Sequence, residues 1–126
     1  MDELTVLHYR GVYRAAYYYL KENGDNPVLD FIMYLHKKRP RECTKLRNNI
    51  YKVCDIQRPN KEIFHHQGDK IYDIKDHQAR IFSFMDGSNL IMCHANIKKR
   101  DRTVRSDIDK VKLLRKEYER RKGTDR

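Results

Sequence analysis

The chain has 126 residues, 39% of them hydrophobic and 37% charged, which is enough for one domain with a modest core. Its 28 Lys and Arg residues outnumber 18 Asp and Glu residues, and the net charge of +10 favours an anionic partner such as nucleic acid, an acidic protein or anionic lipid. No apolar run approaches the ~20 residues of a membrane-spanning helix, and no secretory signal is recognisable, so we expect a cytoplasmic protein that makes no use of a membrane.

The first half of the chain predicts one strand and two helices. Residues 1–10 show no firm pattern and are assigned to an N-terminal tail or a fragment of regular structure. The tyrosine-rich segment 13–21 predicts a strand, with a helix as the alternative because two alanines lie in its middle. Asn26 and Pro27 are typical of a helix start, and Pro40 restarts the helical spacing as a second helix to about residue 56.

The second half changes character after residues 57–68, which have no clear period and are predicted to be a loop. The segments 70–74, 79–85 and 89–97 are rich in β-branched and aromatic residues and predict three strands. Asp86 and Gly87 are a strong hairpin signal between the last two. A final helix is predicted from a cap at Thr103 or Ser106 to about Arg121.

This order of elements predicts an α+β fold. We expect a small antiparallel sheet of about four strands, packed against two N-terminal helices and a C-terminal helix. Residues 11–122 form the single domain, and residues 123–126 form a C-terminal tail.

The three cysteines are predicted to be free thiols. Cys43 and Cys54 fall on one predicted helix, about 16 Å apart along its axis, which is too far for a disulfide. With Cys93 the count is odd and no CxxC pair occurs, which is typical of a reducing compartment.

Familiar site motifs are missing from the sequence. It contains no phosphate-binding loop, dinucleotide fingerprint, nucleophile elbow or HExxH motif. None of the six histidines pairs with cysteine or carboxylate at zinc-finger spacing, so we expect neither a metal nor another cofactor.

Basic residues cluster instead around the predicted strands. Lys75 ends the first of the three strands and Arg80 begins the second, so a tight connection brings them to one end of the sheet. Further cations follow the third strand: Lys98, Lys99, Arg100, Arg102 and Arg105. His94 and Tyr72 are the nearest groups able to carry a proton.

Such a cluster suits cleavage of RNA by its own 2′-hydroxyl. That reaction needs a base near the hydroxyl, an acid at the leaving oxygen and cations where negative charge builds on the phosphorus. The alternative is a solvated basic face that binds phosphates without reacting, and composition alone favours this alternative.

The stretch KIYDIKDHQARIFSFMDGSNLIMCHANIKKRDRTVRSDIDKVKLLRKEYE, residues 70–119, resembles the RelE/HigB superfamily of bacterial toxins, in particular its phage-associated HigB-like branch. Upstream, YYYLKENGDNPVLDFIMYL is similar to the opening strand and first helix of that branch. Lys75 lies where the branch usually has arginine, and Ile97 and Val104 replace its usual aromatic residue and proline.

The resemblance implies a toxin of a type II toxin–antitoxin system that cleaves mRNA on the ribosome without metal and is neutralised by a helix-turn-helix antitoxin. It implies that Lys75 and Arg80 hold the phosphate and that His94 is an acid or a base. Lys98 and Lys99 complete the implied catalytic set, and Arg100, Arg102 and Arg105 would contact RNA. The alternatives are a non-catalytic module that binds RNA, the ribosome or an antitoxin, and a ParE-like inhibitor of DNA gyrase.

Overall fold

The computed structural model describes residues 3–98 and 105–124. Within these ranges, six strands form one sheet in the order β1-β2-β6-β5-β4-β3, and three helices pack against it. The strands are β1 (Thr5–Arg10), β2 (Ala15–Tyr19), β3 (Phe64–Gly68), β4 (Ile71–Asp76), β5 (Ala79–Asp86) and β6 (Asn89–Ile97). The helices are α1 (Pro27–Lys38), α2 (Pro40–Asp55) and α3 (Arg105–Thr124).

The prediction of a small antiparallel sheet of about four strands was therefore wrong. The sheet has six strands and is mixed, because β2 pairs in parallel with β6 while all other neighbours are antiparallel. Strand β1 lies in the segment assigned to a tail, and β3 lies in the segment predicted to be a loop.

Both missed strands are the edges of the sheet. Strand β1 has no buried residue, and in β3 only Phe64 is buried. An edge strand is held mainly by backbone hydrogen bonds to one neighbour, so it needs no alternation of apolar and polar side chains. The local signal on which strand prediction depends is therefore missing.

The helices α1 and α2 follow the predicted pattern. Asn26 caps α1 by accepting a hydrogen bond from the Leu29 backbone N–H at 3.2 Å, with Pro27 in the first turn. Pro40 lies in the first turn of α2, whose N-terminus has no side-chain cap. The predicted apolar stripe of α2 is buried: Cys43, Leu46, Ile50, Val53 and Cys54. All three cysteines are free and buried, as expected.

The sheet separates two apolar clusters. The larger lies under α1 and α2 and includes Leu35, Leu46 and Ile81. The smaller lies under α3, where Val111 and Tyr118 pack against Phe82 and other residues of the central strands. Val111 and Tyr118 are the two buried apolar residues among the described residues of α3. Polar contacts hold the helix as well. These contacts are Arg115 with Asp69, Lys122 and Tyr118 with Asp86, and Arg121 with the carbonyl of Leu20.

None of the helices in the described ranges is long and apolar enough to cross a membrane.

Candidate active site

The register of β4, β5 and β6 aligns three polar residues in one row across the sheet. Lys75 lies opposite Arg80, and Arg80 lies opposite Asn96. Directly opposed residues point to the same face, here the face covered by α3. The structure therefore brings Lys75 and Arg80 together as direct neighbours. Their catalytic roles stay predictions.

A single carboxylate joins the other predicted residues of this face. Asp107, in the first turn of α3, has its Oδ1 2.8 Å from Nε2 of His94, and its Oδ2 forms an ion pair with Nζ of Lys98. The side-chain amide of Asn96 donates to the same Oδ1 at 3.4 Å. The Asp107 side chain is only 4% exposed, so α3 places this carboxylate directly against the end of β6.

The protonation states of this pair follow from its surroundings. Burial lowers the pKa of His94 below its ordinary value, and this outweighs the opposing effect of the Asp107 carboxylate. Burial alone would raise the pKa of Asp107, but hydrogen bonds from Lys98, His94 and Asn96 lower it below its ordinary value. At neutral pH the pair is thus a neutral imidazole beside an ionised carboxylate.

The geometry assigns a tautomer to this neutral imidazole. A carboxylate can only accept hydrogen bonds, so the proton of the His94 ring is assigned to Nε2, which faces Asp107. The lone pair is then on Nδ1. The ring is also positioned by Phe82, whose ring centroid lies 5.6 Å away in a stacked arrangement. This is the arrangement of a general base that is oriented by a carboxylate.

A second buried carboxylate holds Arg80. Nη1 of Arg80 is 3.8 Å from Oδ2 of Asp73, whose side chain is 1% exposed. Gln67 donates to the other oxygen of Asp73 at 2.8 Å, and Nδ1 of His65 lies 3.5 Å from it. Within the described residues, Nε of Arg80 has no hydrogen-bond partner. Oδ2 of Asp73 is likewise buried without a hydrogen-bond partner among the described residues, so Asp73 faces Arg80 as an electrostatic partner rather than through a hydrogen bond.

The remaining predicted residues differ in position. Arg105 is exposed at the first residue of α3. Tyr72 lies on the opposite face of the sheet, where its ring stacks on Phe64 at 4.4 Å, so it does not join the cluster. Lys99, Arg100 and Arg102 lie outside the described residues.

Sequence reasoning missed the two carboxylates. Asp73 lies between Tyr72 and Ile74 in the middle of β4, two positions before Lys75, so strand alternation puts both on one face. That was a usable signal. For Asp107 the signal was weaker, because acidic residues are common in the first turn of any helix.

Within the described part of the chain, no group of three or more His, Cys, Asp or Glu side chains is arranged to hold a metal ion.

No family model matches the chain, and no curated protein is significantly similar to it. The resemblance to the RelE/HigB superfamily therefore rests on the quoted motifs.

Proposed function

We propose that the protein is the toxin of a type II toxin–antitoxin system, a metal-independent endoribonuclease that cleaves mRNA on the ribosome. The observation that carries this proposal is the neutral His94 held by Asp107, next to the row that contains Arg80 and Lys75. A base and two cations thus share one face of the sheet. The +10 charge of the chain suits an RNA substrate.

In this proposal Nδ1 of His94 takes the proton of the 2′-hydroxyl, and the oxygen attacks the adjacent phosphorus. Arg80 and Lys75 stabilise the negative charge that builds on the phosphate oxygens. The bond from phosphorus to the 5′ oxygen breaks, and the Lys75 ammonium supplies the proton that this oxygen needs. The products are a 2′,3′-cyclic phosphate and a 5′-hydroxyl end.

The proposal is tested by inducing the chain in bacteria and mapping mRNA 5′ ends with and without a block of translation. We expect new 5′-hydroxyl ends that depend on translation. Arg80→Ala and His94→Gln should each reduce cleavage by about 100-fold or more, since they remove charge stabilisation and the general base. The matched control is Lys45→Ala, which removes one exposed cation from α2 and should leave cleavage unchanged.

Cuts that persist in both variants, or cuts that Lys45→Ala also abolishes, would contradict the assignment of the site. Far-ultraviolet circular dichroism and a thermal melt establish that each variant is folded. The proposed partner is a helix-turn-helix antitoxin, and its co-expression should suppress the cuts.

Binding without cleavage is the second candidate function. It is favoured by the ion pair of Lys98 with Asp107, because this pair neutralises a lysine of the implied catalytic set. Growth arrest without new 5′ ends would support a binding module. Growth arrest with DNA damage would instead support inhibition of gyrase.

A further inference from the structure

A groove lies on the face of the sheet that packs against α1 and α2. It consists of two adjoining hollows of about 430 and 490 Å³, which share Arg14, Gln57 and Tyr72. Both volumes are in the range of roughly 300–1,000 Å³ found for ligand clefts. Tyr72 points to this face, whereas Asp73, the next residue of β4, points to Arg80 on the other. The groove is therefore separate from the candidate active site.

The charge of the groove has one sign. Among the described residues that line it there are four Lys or Arg residues and no carboxylate. The cations are Arg14, Arg58, Lys61 and Lys70. Since the chain has 18 Asp and Glu residues, a lining without any of them is a marked local excess of positive charge. Such an excess attracts a polyanion.

Aromatic rings alternate with these cations. Phe64 and Tyr72 stack at 4.4 Å, and His66 stacks on Tyr72 at 4.7 Å. The guanidinium of Arg14 lies over the other end of this column, 5.4 Å from the centroid of Phe64. His66 is exposed and is the outer member of the column, so a further flat ring can add to it. Tyr13, which is 46% exposed, adds a second aromatic side chain.

The backbone around the groove is held in place. Nη1 of Arg14 donates to the carbonyls of Val53 and Ile56, at 2.9 and 3.1 Å, and Nη2 donates to the carbonyl of Gln57 at 3.0 Å. The Arg14 N–H also donates to the carbonyl of Cys54 at 3.1 Å. Arg14 thus caps the end of α2 and preorganises the groove, which lowers the entropy cost of binding.

We propose that this groove binds single-stranded nucleic acid. Arg58, Lys61 and Lys70 contact the phosphates, and His66 and Tyr13 stack against bases. Cations that follow a backbone, interleaved with aromatic platforms, are the chemistry by which single strands are bound without sequence preference. A duplex hides the faces of its bases and cannot use the platforms. The binding goes beyond the proposed cleavage and does not depend on it.

Fluorescence anisotropy tests the proposal with a labelled 12-nucleotide strand of mixed sequence, made as RNA and as DNA, and with the corresponding duplexes. Arg58→Glu/Lys61→Glu should weaken binding of the single strands by at least tenfold. It should also make the dependence of log affinity on log salt shallower, by about 0.7 for each phosphate that the variant no longer neutralises. His66→Ala and Tyr13→Ala should each weaken binding by about tenfold with an unchanged salt slope.

The matched control is Arg41→Glu/Lys45→Glu, which makes the same change in charge at exposed positions of α2. Arg41 lies about 20 Å along the helix from the end at Cys54 that borders the groove. This control should retain most of the affinity. A control that loses as much affinity as the groove variant would overturn the proposal, as would equal affinity for duplex and single strand or aromatic substitutions without effect.

The DNA strand separates this proposal from the proposed function, because it has no 2′-hydroxyl and cannot be cleaved by the proposed reaction. If the groove binds nucleic acid, Arg58→Glu/Lys61→Glu weakens binding of the DNA strand, whatever becomes of RNA cleavage in Arg80→Ala and His94→Gln. An unchanged affinity of this groove variant for the DNA strand would overturn the assignment of binding to the groove.

Discussion

At the scale of single residues, Asp107 organises the candidate active site. Its two oxygens hold His94, Asn96 and Lys98, all of which lie at or just beyond the end of β6. The carboxylate is buried, but it lies in the first turn of α3, where the helix dipole also favours a negative charge. This explains how a buried acid stays ionised and can orient an imidazole.

Asp107→Asn should destabilise the fold by about 3 kcal/mol, because it leaves Lys98 with a side chain that is 11% exposed and no opposite charge. The pKa of His94 should fall further, because the carboxylate that raises it is gone. Urea unfolding at pH 7 measures the first effect, and NMR titration of the His94 ring measures the second.

Asp109→Asn is the control for that substitution. Asp109 lies two residues further along α3 and is exposed, so the same chemical change there should cost less than about 0.5 kcal/mol and leave the pKa of His94 near its value in the unmodified protein. If the two variants behaved alike, the role given to Asp107 would be refuted.

At the scale of elements, the loop between β1 and β2 is docked on the end of α2. The N–H groups of Tyr13 and Arg14 both donate to the carbonyl of Cys54, and Tyr9 donates through its hydroxyl to Asp55 at 2.6 Å. At Gly11 the loop lies so close to Cys54 and Asp55 that no side chain fits. This contact positions β1 at the edge of the sheet and also shapes the groove.

Gly11→Ala should destabilise the protein by about 1–3 kcal/mol. A Cβ at this position would lie 2.6 Å from the backbone carbon of Cys54 and from Oδ1 of Asp55, so the loop has to move. Thermal unfolding measures the effect. In the control Gly123→Ala, the new methyl group meets no described atom within 4 Å, and the helical position should make the change neutral or slightly stabilising. A neutral Gly11→Ala would show that the loop is not tightly docked.

At the scale of the whole molecule, several titrating groups act in the same direction with pH. Burial lowers the pKa of His8 as well as that of His94, so the folded chain binds fewer protons than the unfolded chain as pH falls below about 6.5. Contacts with Lys122 and Tyr118 likewise hold the pKa of Asp86 below its ordinary value. In each case protonation favours the unfolded state.

We therefore expect the melting temperature to fall as the pH is lowered from 7 to 5, through the histidines, and to fall further below about pH 4, through the carboxylates. At the alkaline side, burial raises the pKa of Tyr18 to about 12, so stability should also decline as the pH rises above about 10. Calorimetry across this pH range measures both the acidic and the alkaline decline in melting temperature. In the double variant His8→Gln/His94→Gln, the fall in melting temperature between pH 7 and 5 should be smaller. An unchanged fall would show that other groups cause it.

Much of the fold was readable from local patterns. Asn26, Pro27 and Pro40 mark the starts of two helices because a cap and a proline act within a single turn, and the three central strands carry enough apolar residues to be recognised without knowledge of their partners. The free thiols of Cys43 and Cys54 follow from their spacing on one helix, and the odd count left Cys93 without a partner.

The edges of the sheet, the parallel pairing of β2 with β6 and the polar cluster depend on tertiary contacts that local patterns do not encode. Strands β1 and β3 are held by backbone hydrogen bonds, which are the same for nearly every residue type. The cations and the histidine available to a site, including Lys75, Arg80 and His94, are visible in the amino-acid sequence alone. Which carboxylate would hold them depended on where α3 crosses the sheet, because residues far apart in the chain meet only through packing.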